Sequence, residues 1–188
     1  MSYLDKTLIL ESDKIYYTDD TFGGDREVMM GWEDPLMSAS AAYICQGGGD
    51  ILEIGFGMGI SAGYMHSHSI NSHTIIENHP QIIVKAQEWA SSKSNVTIIT
   101  GSWYDVKDNL STYDGIFYDT FGDQDMDKFS SSLSSLVKSG TKVTWRNNYP
   151  DETNYYNIPN VTYEAISITP PSNSYFNSNI YYLPKKEF

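Results

Sequence analysis

A glycine-rich segment carries the strongest chemical signal in the sequence. Gly55, Gly57 and Gly59 follow directly after the apolar run 51–54. Glycine has no Cβ, so the backbone here can turn tightly and approach a ligand closely. Glu77 follows Gly55 by 22 residues, at the end of the next apolar run, where a carboxylate can accept hydrogen bonds from both hydroxyls of a ribose. The pattern predicts a nucleoside-binding site. The alternative is that the glycines serve only to pack the turn and bind no ligand.

A missing glycine indicates which kind of nucleoside would bind. A dinucleotide-binding loop has a third glycine three positions after the second, so that a helix N-terminus can meet the pyrophosphate. That position here is Ile60. An acid, Glu53, precedes the loop, and the formal net charge of the chain is -12. These features favour a cationic sulfonium nucleoside, and they argue against a nicotinamide-dependent dehydrogenase.

Alternating strands and helices must position this loop. The predicted strands are 51–54, 73–77, 96–100, 115–118 and 141–145, and the predicted helices are 32–45, 57–67, 80–91 and 125–137. Strand–helix–strand alternation is typical of a parallel α/β sheet. The runs 161–169 and 179–183 are separated by a loop too short for a crossover helix, which predicts antiparallel pairing.

The predicted fold class is therefore α/β and Rossmann-like, with a mostly parallel seven-stranded sheet and an antiparallel C-terminal hairpin strand. This is the architecture of class I methyltransferases. Residues 1–30, which contain short apolar runs and an acidic glycine-containing loop, are predicted to form an N-terminal arm. Residues 31–188 are predicted to form one domain, since 188 residues is about the size of a single domain.

Several separate motifs, in one order along the chain, resemble guanidinoacetate N-methyltransferase and its arginine-methylating relatives. The motifs are VMMGWEDPLM at 28–37, ILEIGFGM at 51–58, IIE at 75–77, GSW at 101–103 and DGIFYDT at 114–120. Later segments, TWRN at 144–147 and the pairs 170–171 and 175–176, are similar to the same family. An ordered series of motifs is far more specific than the glycine loop alone.

The resemblance implies that the cofactor is S-adenosylmethionine and that the product is S-adenosylhomocysteine. Glu77 would hold the ribose, Ser102 and Trp103 would flank the adenine, and the glycine loop would line the methionine part. The cofactor-binding residues it implies are Met37, Glu53, Gly55, Phe56, Gly57, Met58, Glu77, Ser102, Trp103 and Asp119.

The resemblance also implies that Glu33 and Asp119 hold the guanidino group of a small acceptor. A guanidinium is a planar fork of donors that two carboxylates can satisfy. Its nitrogens have no free lone pair, so a carboxylate must accept a proton as the methyl group arrives. Asp119, at the end of a predicted parallel strand, is the predicted base, and Glu33 orients the acceptor. Trp32, Phe121 and Asn147 complete the implied acceptor site.

Structural alternatives exist for these residues. Glu33 could cap a helix, Asp119 could form a strand-end turn, and Trp32 and Trp103 could be core aromatics. Two further functions also stay open: methylation of another amine or of protein arginine, and a domain that binds the nucleoside without catalysis. A pair of acids on a cation favours the catalytic alternatives.

The chain departs from the family pattern around the acceptor. The segments after Thr120 and after Asn147 are shorter than in the family, and Phe121 stands where the family carries a tyrosine. Arg146 also departs from the pattern. Two roles are open for it: contact with a carboxylate of the substrate, or an ion pair with one of the many acids of this chain.

Composition limits the partners. With 24 acidic against 12 basic residues and no basic stripe, the chain is predicted to bind neither nucleic acid nor membranes and to favour a small cationic partner. The single cysteine, Cys45, and the absence of a leader pattern predict a cytoplasmic protein. His66 and His68 are not expected to bind a metal, because no cysteine or spaced acid completes a site.

Overall fold

The computed structural model describes residues 2–19, 21, 23–172 and 174–188. The chain begins with a three-stranded antiparallel sheet made of β1 (Ile9–Leu10), β2 (Lys14–Asp19) and β3 (Gly24–Met30). Leu8 and Ile15 are buried and join one of the two hydrophobic cores described below. The sequence suggested a strand-like arm, and the structure shows a small sheet there. The division into an arm and one domain stays a prediction.

The main feature of the fold is a seven-stranded sheet. Its strands are β4 (Asp50–Ile54), β5 (Ser72–Glu77), β6 (Val96–Thr100), β7 (Tyr113–Tyr118), β8 (Val137–Trp145), β9 (Thr162–Ser167) and β10 (Ile180–Glu187). The spatial order is β6-β5-β4-β7-β8-β10-β9. Strands β4 to β8 are parallel, whereas β10 pairs antiparallel with both β8 and β9. The predicted mostly parallel sheet with an antiparallel C-terminal hairpin is confirmed.

Hydrophobic cores lie on both faces of this sheet. The helices that cover it are α1 (Asp34–Ile44), α2 (Ile60–Met65), α3 (Pro80–Ala90), α4 (Trp103–Val106) and α5 (Phe129–Ser132). Ile51 and Leu52 of β4 are both fully buried but belong to different cores, because successive side chains of a strand point to opposite faces. The first core includes α1, α2 and α3, and the second contains aromatic residues of α4, α5 and β8.

The strand order creates a crevice where the functional residues meet. Strand β4 lies between β5 and β7, and the chain leaves β4 on one side and β7 on the other. Open parallel sheets bind ligands at such a switch point, beyond the carboxyl ends of the strands. Backbone hydrogen bonds extend the sheet into this region: Gly55 N donates to Ile76 O at 2.8 Å, and Asp119 N donates to Ile54 O at 2.9 Å.

Two predicted helices are shorter than expected. Helix α2 begins at Ile60, whereas 57–67 was predicted, because Gly57 and Gly59 have φ angles of 54° and 77°, which belong to a left-handed turn. In 125–137 only Phe129–Ser132 is α-helical, with 3-10 turns on both sides.

Serine chemistry explains the second difference. Ser131 and Ser132 both donate their hydroxyls to Lys128 O, and such local bonds compete with regular helix. Strand β8 already begins at Val137, whereas the strand was predicted for 141–145.

Within the described residues, no helix combines the length and apolar character that crossing a membrane requires.

Glycine at position 115 is the feature of the sheet most easily tested. A Cβ at Gly115 would lie 2.4 Å from Ile44 O and 2.8 Å from Ile51 Cδ1, whereas nothing lies within 4 Å of a Cβ at Gly63. We expect Gly115→Ala to lower the free energy of unfolding by about 1–3 kcal/mol, because it overpacks the contact of α1 with β7. Gly63→Ala, inside α2, should raise it by about 0.5–1 kcal/mol. Urea denaturation measures the free energy of unfolding of both variants. Equal changes in the two variants would contradict the packing argument.

Candidate active site

Two adjoining cavities lie beyond the carboxyl ends of β4 and β7. Glycine-loop residues Gly55, Phe56 and Gly57 line the first cavity, together with Glu77 and Trp103. The second cavity is larger, about 550 Å³. Six residues line both cavities: Val28, Glu33, Asp119, Thr120, Phe121 and Asp123. The two acids that the family resemblance assigns to the acceptor are therefore brought together at the junction.

The glycine loop passes directly over the end of β7. A Cβ at Gly55, where φ is 94°, would lie 1.9 Å from Asp119 O. No other residue type fits there, since both the backbone conformation and the space require glycine. The same contact fixes Asp119 against the loop, so the position of the predicted base depends on the predicted cofactor loop.

The carboxylate of Glu77 is held by three backbone N–H groups. Oε2 accepts from Phe56 N at 2.9 Å, and Oε1 accepts from Asn78 N and His79 N, both at 2.8 Å. An ionised carboxylate has about four acceptor positions, so about one stays open. Glu77 is 8% exposed and lines the first cavity. It is thus fixed as an acceptor at the place where the sequence predicted contact with a ribose.

Met29 of β3 lies across the glycine loop. Its Sδ accepts a hydrogen bond from Met58 N at 2.9 Å, and a Cβ at Gly57 would lie 2.3 Å from Sδ. The first cavity retains a free volume of only about 60 Å³. The residue types fit a methionine-containing nucleoside, with a Cβ-free loop, a fixed acid and an aromatic wall. The Met29 side chain is unbranched, and such side chains adapt readily to their surroundings.

Asp119 combines burial with neighbouring charges. It follows β7 and lies close enough to Arg146, Glu33 and Glu53 for their charges to affect it. Desolvation is the largest effect and raises the pKa of Asp119 to about 7; the Arg146 charge opposes this rise, and Glu33 and Glu53 add to it. A carboxylate with a pKa near neutrality is suited to accept a proton during catalysis.

Glu33 ends a 3-10 turn (Gly31–Glu33) in front of α1 and is only 3% exposed. Its Oε1 accepts from Met30 N at 3.1 Å and from the Tyr175 hydroxyl at 3.0 Å, and its Oε2 accepts from Arg146 Nη1 at 2.7 Å. Desolvation raises the pKa of Glu33 above its ordinary value, although the Arg146 guanidinium and the Met30 N–H oppose the rise. Of the two roles open for Arg146, the structure shows the ion pair with an acid of the chain.

Several predicted residues lie away from both cavities. Met37 is in the core, and Ser102 is the N-cap of α4. Glu53 is fully buried behind the loop, where it accepts from Ser61 Oγ and lies 3.0 Å from His73 Nε2.

Two residues implied for the acceptor also stand apart from the cavity linings. Asn147 donates its amide to Asp151 O and Tyr182 O, so its side chain holds the backbone of the loop. Trp32 packs on Tyr175 and Phe176 at ring distances of 5.6 and 6.1 Å. Their assignment to the acceptor stays a prediction, whereas Phe121 does line both cavities.

The cavity-lining residues that the sequence did not predict include Tyr3, Met29, Asp123 and Tyr175. Asp123 accepts from Trp103 Nε1 at 2.7 Å and from the Tyr118 hydroxyl. Its position four residues after Asp119 was the available signal. Tyr3 is remote in sequence and gave none, whereas Tyr175 lies in a segment that resembles the family.

Among the described residues, no group of three or more histidine, cysteine, aspartate or glutamate side chains is arranged to hold a metal ion.

Comparison with known proteins agrees with this geometry. The profile of guanidinoacetate N-methyltransferase matches residues 18–167. The chain belongs to the guanidinoacetate N-methyltransferase family. This membership confirms the family predicted from the motifs, which is a family of S-adenosylmethionine-dependent methyltransferases.

The chain is also similar to fungal proteins named protein arginine N-methyltransferase 2. It is 33% identical to that of Aspergillus oryzae, over 77% of this chain and 36% of the relative. It is 30% identical to that of Kluyveromyces lactis, over 98% of this chain and 54% of the relative. The chain thus spans between about a third and a half of the length of these relatives.

Solved structures of low sequence identity share the fold. The precorrin-6y C5,15-methyltransferase of Geobacter metallireducens matches with a TM-score of 0.66 and 13% identity, over 90% of this chain and 95% of that chain. Fibrillarin of Aeropyrum pernix, solved with bound S-adenosylmethionine, matches with a TM-score of 0.60 and 11% identity, over 98% and 86%.

Glu77 offers a direct test of the first cavity. We expect Glu77→Ala to weaken the binding of S-adenosylhomocysteine roughly 10- to 100-fold, because a charged acceptor for the ribose is lost. Glu88→Ala removes the same charge from an exposed position of α3 and should leave the affinity unchanged. Calorimetric titration measures the affinity of both variants for S-adenosylhomocysteine. Melting temperatures recorded without ligand show whether both variants are folded. Equal affinities of the two folded variants would contradict the assignment.

Proposed function

We propose that this chain transfers a methyl group from S-adenosylmethionine to a nitrogen of a small guanidino compound. One observation carries the proposal: Glu33 and Asp119 lie at the junction of the two cavities, and Glu33 already binds a guanidinium, that of Arg146, at 2.7 Å. The site thus has the chemistry of a guanidinium receptor beside the cofactor loop.

The two acids would have different roles. Glu33 is almost fully buried and held by Met30 N, so it can orient a guanidinium without itself moving. Asp119, with a pKa of about 7, can be ionised at neutral pH and still accept a proton. When bound, the cofactor supplies an electrophilic methyl group, whose bond to sulfur breaks so that S-adenosylhomocysteine is the leaving group. As one guanidino nitrogen forms its bond to that methyl, Asp119 takes the proton this nitrogen loses, and the fixed geometry contributes the alignment.

A second candidate acceptor is an arginine side chain of a protein. It is favoured by the similarity to proteins named protein arginine N-methyltransferase 2 and by the size of the second cavity, about 550 Å³. A methyl-transfer assay that compares free guanidino compounds with arginine-containing peptides distinguishes the two. Turnover of peptides alone would overturn the proposal for a small acceptor.

The proposal predicts the behaviour of Asp119→Asn. Binding of S-adenosylhomocysteine should persist, whereas kcat/KM for the guanidino acceptor should fall roughly 100- to 10,000-fold, because the base is lost. Asp127→Asn makes the same change at an exposed position and should retain activity. If Asp119→Asn turned over normally, Asp119 would not be the base.

The wild-type protein should show the titration of this group. Since the base form of Asp119 predominates above a pKa of about 7, kcat/KM should rise through pH 7 and level off above about pH 8.

The stability of the fold should depend on pH in the opposite direction to kcat/KM, so it should fall as the pH rises. The folded-state pKa lies above the unfolded value, so the folded protein binds more protons between the two values and loses stability as pH rises through this window. Asp119→Asn should therefore stabilise the fold more at pH 8 than at pH 4, measured by thermal denaturation. A loss of activity together with this gain cannot be attributed to unfolding.

A further inference from the structure

Arg146 occupies the position that the proposed function gives to the acceptor. Its Nη1 donates to Glu33 Oε2 at 2.7 Å, its Nη2 donates to the Tyr175 hydroxyl, and its Nε lies 3.4 Å from Asn148 Oδ1. The side chains of Arg146 and Glu33 are 8% and 4% exposed. With Tyr175 and Met30 on its other oxygen, three of the roughly four acceptor positions of Glu33 are taken by the protein itself.

This pairing restricts which acceptors can enter. A guanidinium can take the oxygen of Glu33 that Arg146 occupies only if the Arg146 guanidinium leaves that oxygen. Removing one partner of a buried ion pair is strongly unfavourable unless the other partner finds a new counter-charge. The released Arg146 therefore needs an anion in or near the second cavity, which it lines.

The other acids of that cavity already have partners. Glu27 accepts from Ser174 Oγ at 2.8 Å and from Tyr175 N at 3.2 Å. Asp123 is held by Trp103 and Tyr118, and Asp25 accepts from Thr18 Oγ1 at 2.9 Å.

The remaining charged groups lining the second cavity are Asp119, which the mechanism uses, and Arg26, which has the wrong sign. An anion on the acceptor itself is the simplest counter-charge.

We propose that Arg146 determines specificity by exchanging ion pairs with the acceptor. The guanidino group of the acceptor takes Glu33 and Asp119, and Arg146 turns to an anionic group that the same acceptor carries. The planar fork of Arg146 is suited to bind a carboxylate in a bidentate manner. The site then selects guanidino acids over guanidino cations and over arginine residues within a chain. The inference rests on the proposed function.

A matched pair of ligands tests this exchange. Guanidinoacetate and its amide differ only in the carboxylate, and both are titrated calorimetrically into the complex with S-adenosylhomocysteine. The wild-type protein should bind the acid roughly 10- to 100-fold more tightly, the effect of one charged hydrogen-bonding pair. The net charge of -12 would by itself favour the cationic amide, so preference for the acid cannot come from the general field of the protein.

Arg146 variants should remove that preference. In Arg146→Ala the acid should lose its advantage, and the amide should bind at least several-fold more tightly than to wild type because Glu33 is free. Arg146→Gln retains a donor for Glu33 without the charge, so it tests the same loss if the alanine variant does not fold. Lys142→Ala, on the strand that ends just before Arg146 and paired with Glu187 at 3.6 Å, should retain the preference of the wild type.

The outcomes separate the two proposals. An acid preference that survives in Arg146→Ala and Arg146→Gln, or no preference in the wild type, overturns the role of Arg146, while turnover of either ligand would still support guanidino methylation. A preference that depends on Arg146, without methyl transfer to any guanidino compound, supports the exchange and overturns the proposed function. Failure of both ligands to bind any folded variant overturns both.

Discussion

The close contact between the glycine loop and the end of β7 is the constraint on which the rest of the site depends. At Gly55 there is no room for a Cβ, since it would lie 1.9 Å from Asp119 O. Asp119 N in turn donates to Ile54 O. The loop that would receive the cofactor and the acid that would receive the proton are therefore parts of one backbone arrangement. A change in either strand end would alter both the binding of the nucleoside and the position of the base.

Charge compensation is the second organising feature. The chain is acidic, and the junction of the cavities brings Glu33 and Asp119 together in a largely buried region. Burial of two acids without a counter-charge is unfavourable, and Arg146 supplies a cation beside Glu33. Met29 lies similarly across the glycine loop. Side chains of the protein thus make contacts of their own at both cavities.

The sequence predicted most of the fold and part of the site. The strand positions and the antiparallel C-terminal pair were correct because short β-branched runs bounded by turn residues are a strong local signal. Helix 125–137 is shorter than predicted, and serine hydroxyls that bond to the backbone compete there with regular helix. Asn147 lies off the cavities because its side-chain amide donates to the backbone carbonyls of Asp151 and Tyr182. Glu53 lies off them because its carboxylate accepts from Ser61 and lies beside His73.

The sequence by itself determined the parallel sheet, the glycine loop, the acid at the end of β5 and the family, since each is written in residues that are close together or in a fixed order. Only the tertiary structure decided that Arg146 binds Glu33, 113 positions away, and that Tyr3, Met29 and Tyr175 line the cavities. Partners of a charged side chain are set by which loops the sheet topology brings together and by which charges burial forces to pair. Neither property is encoded in local spacing.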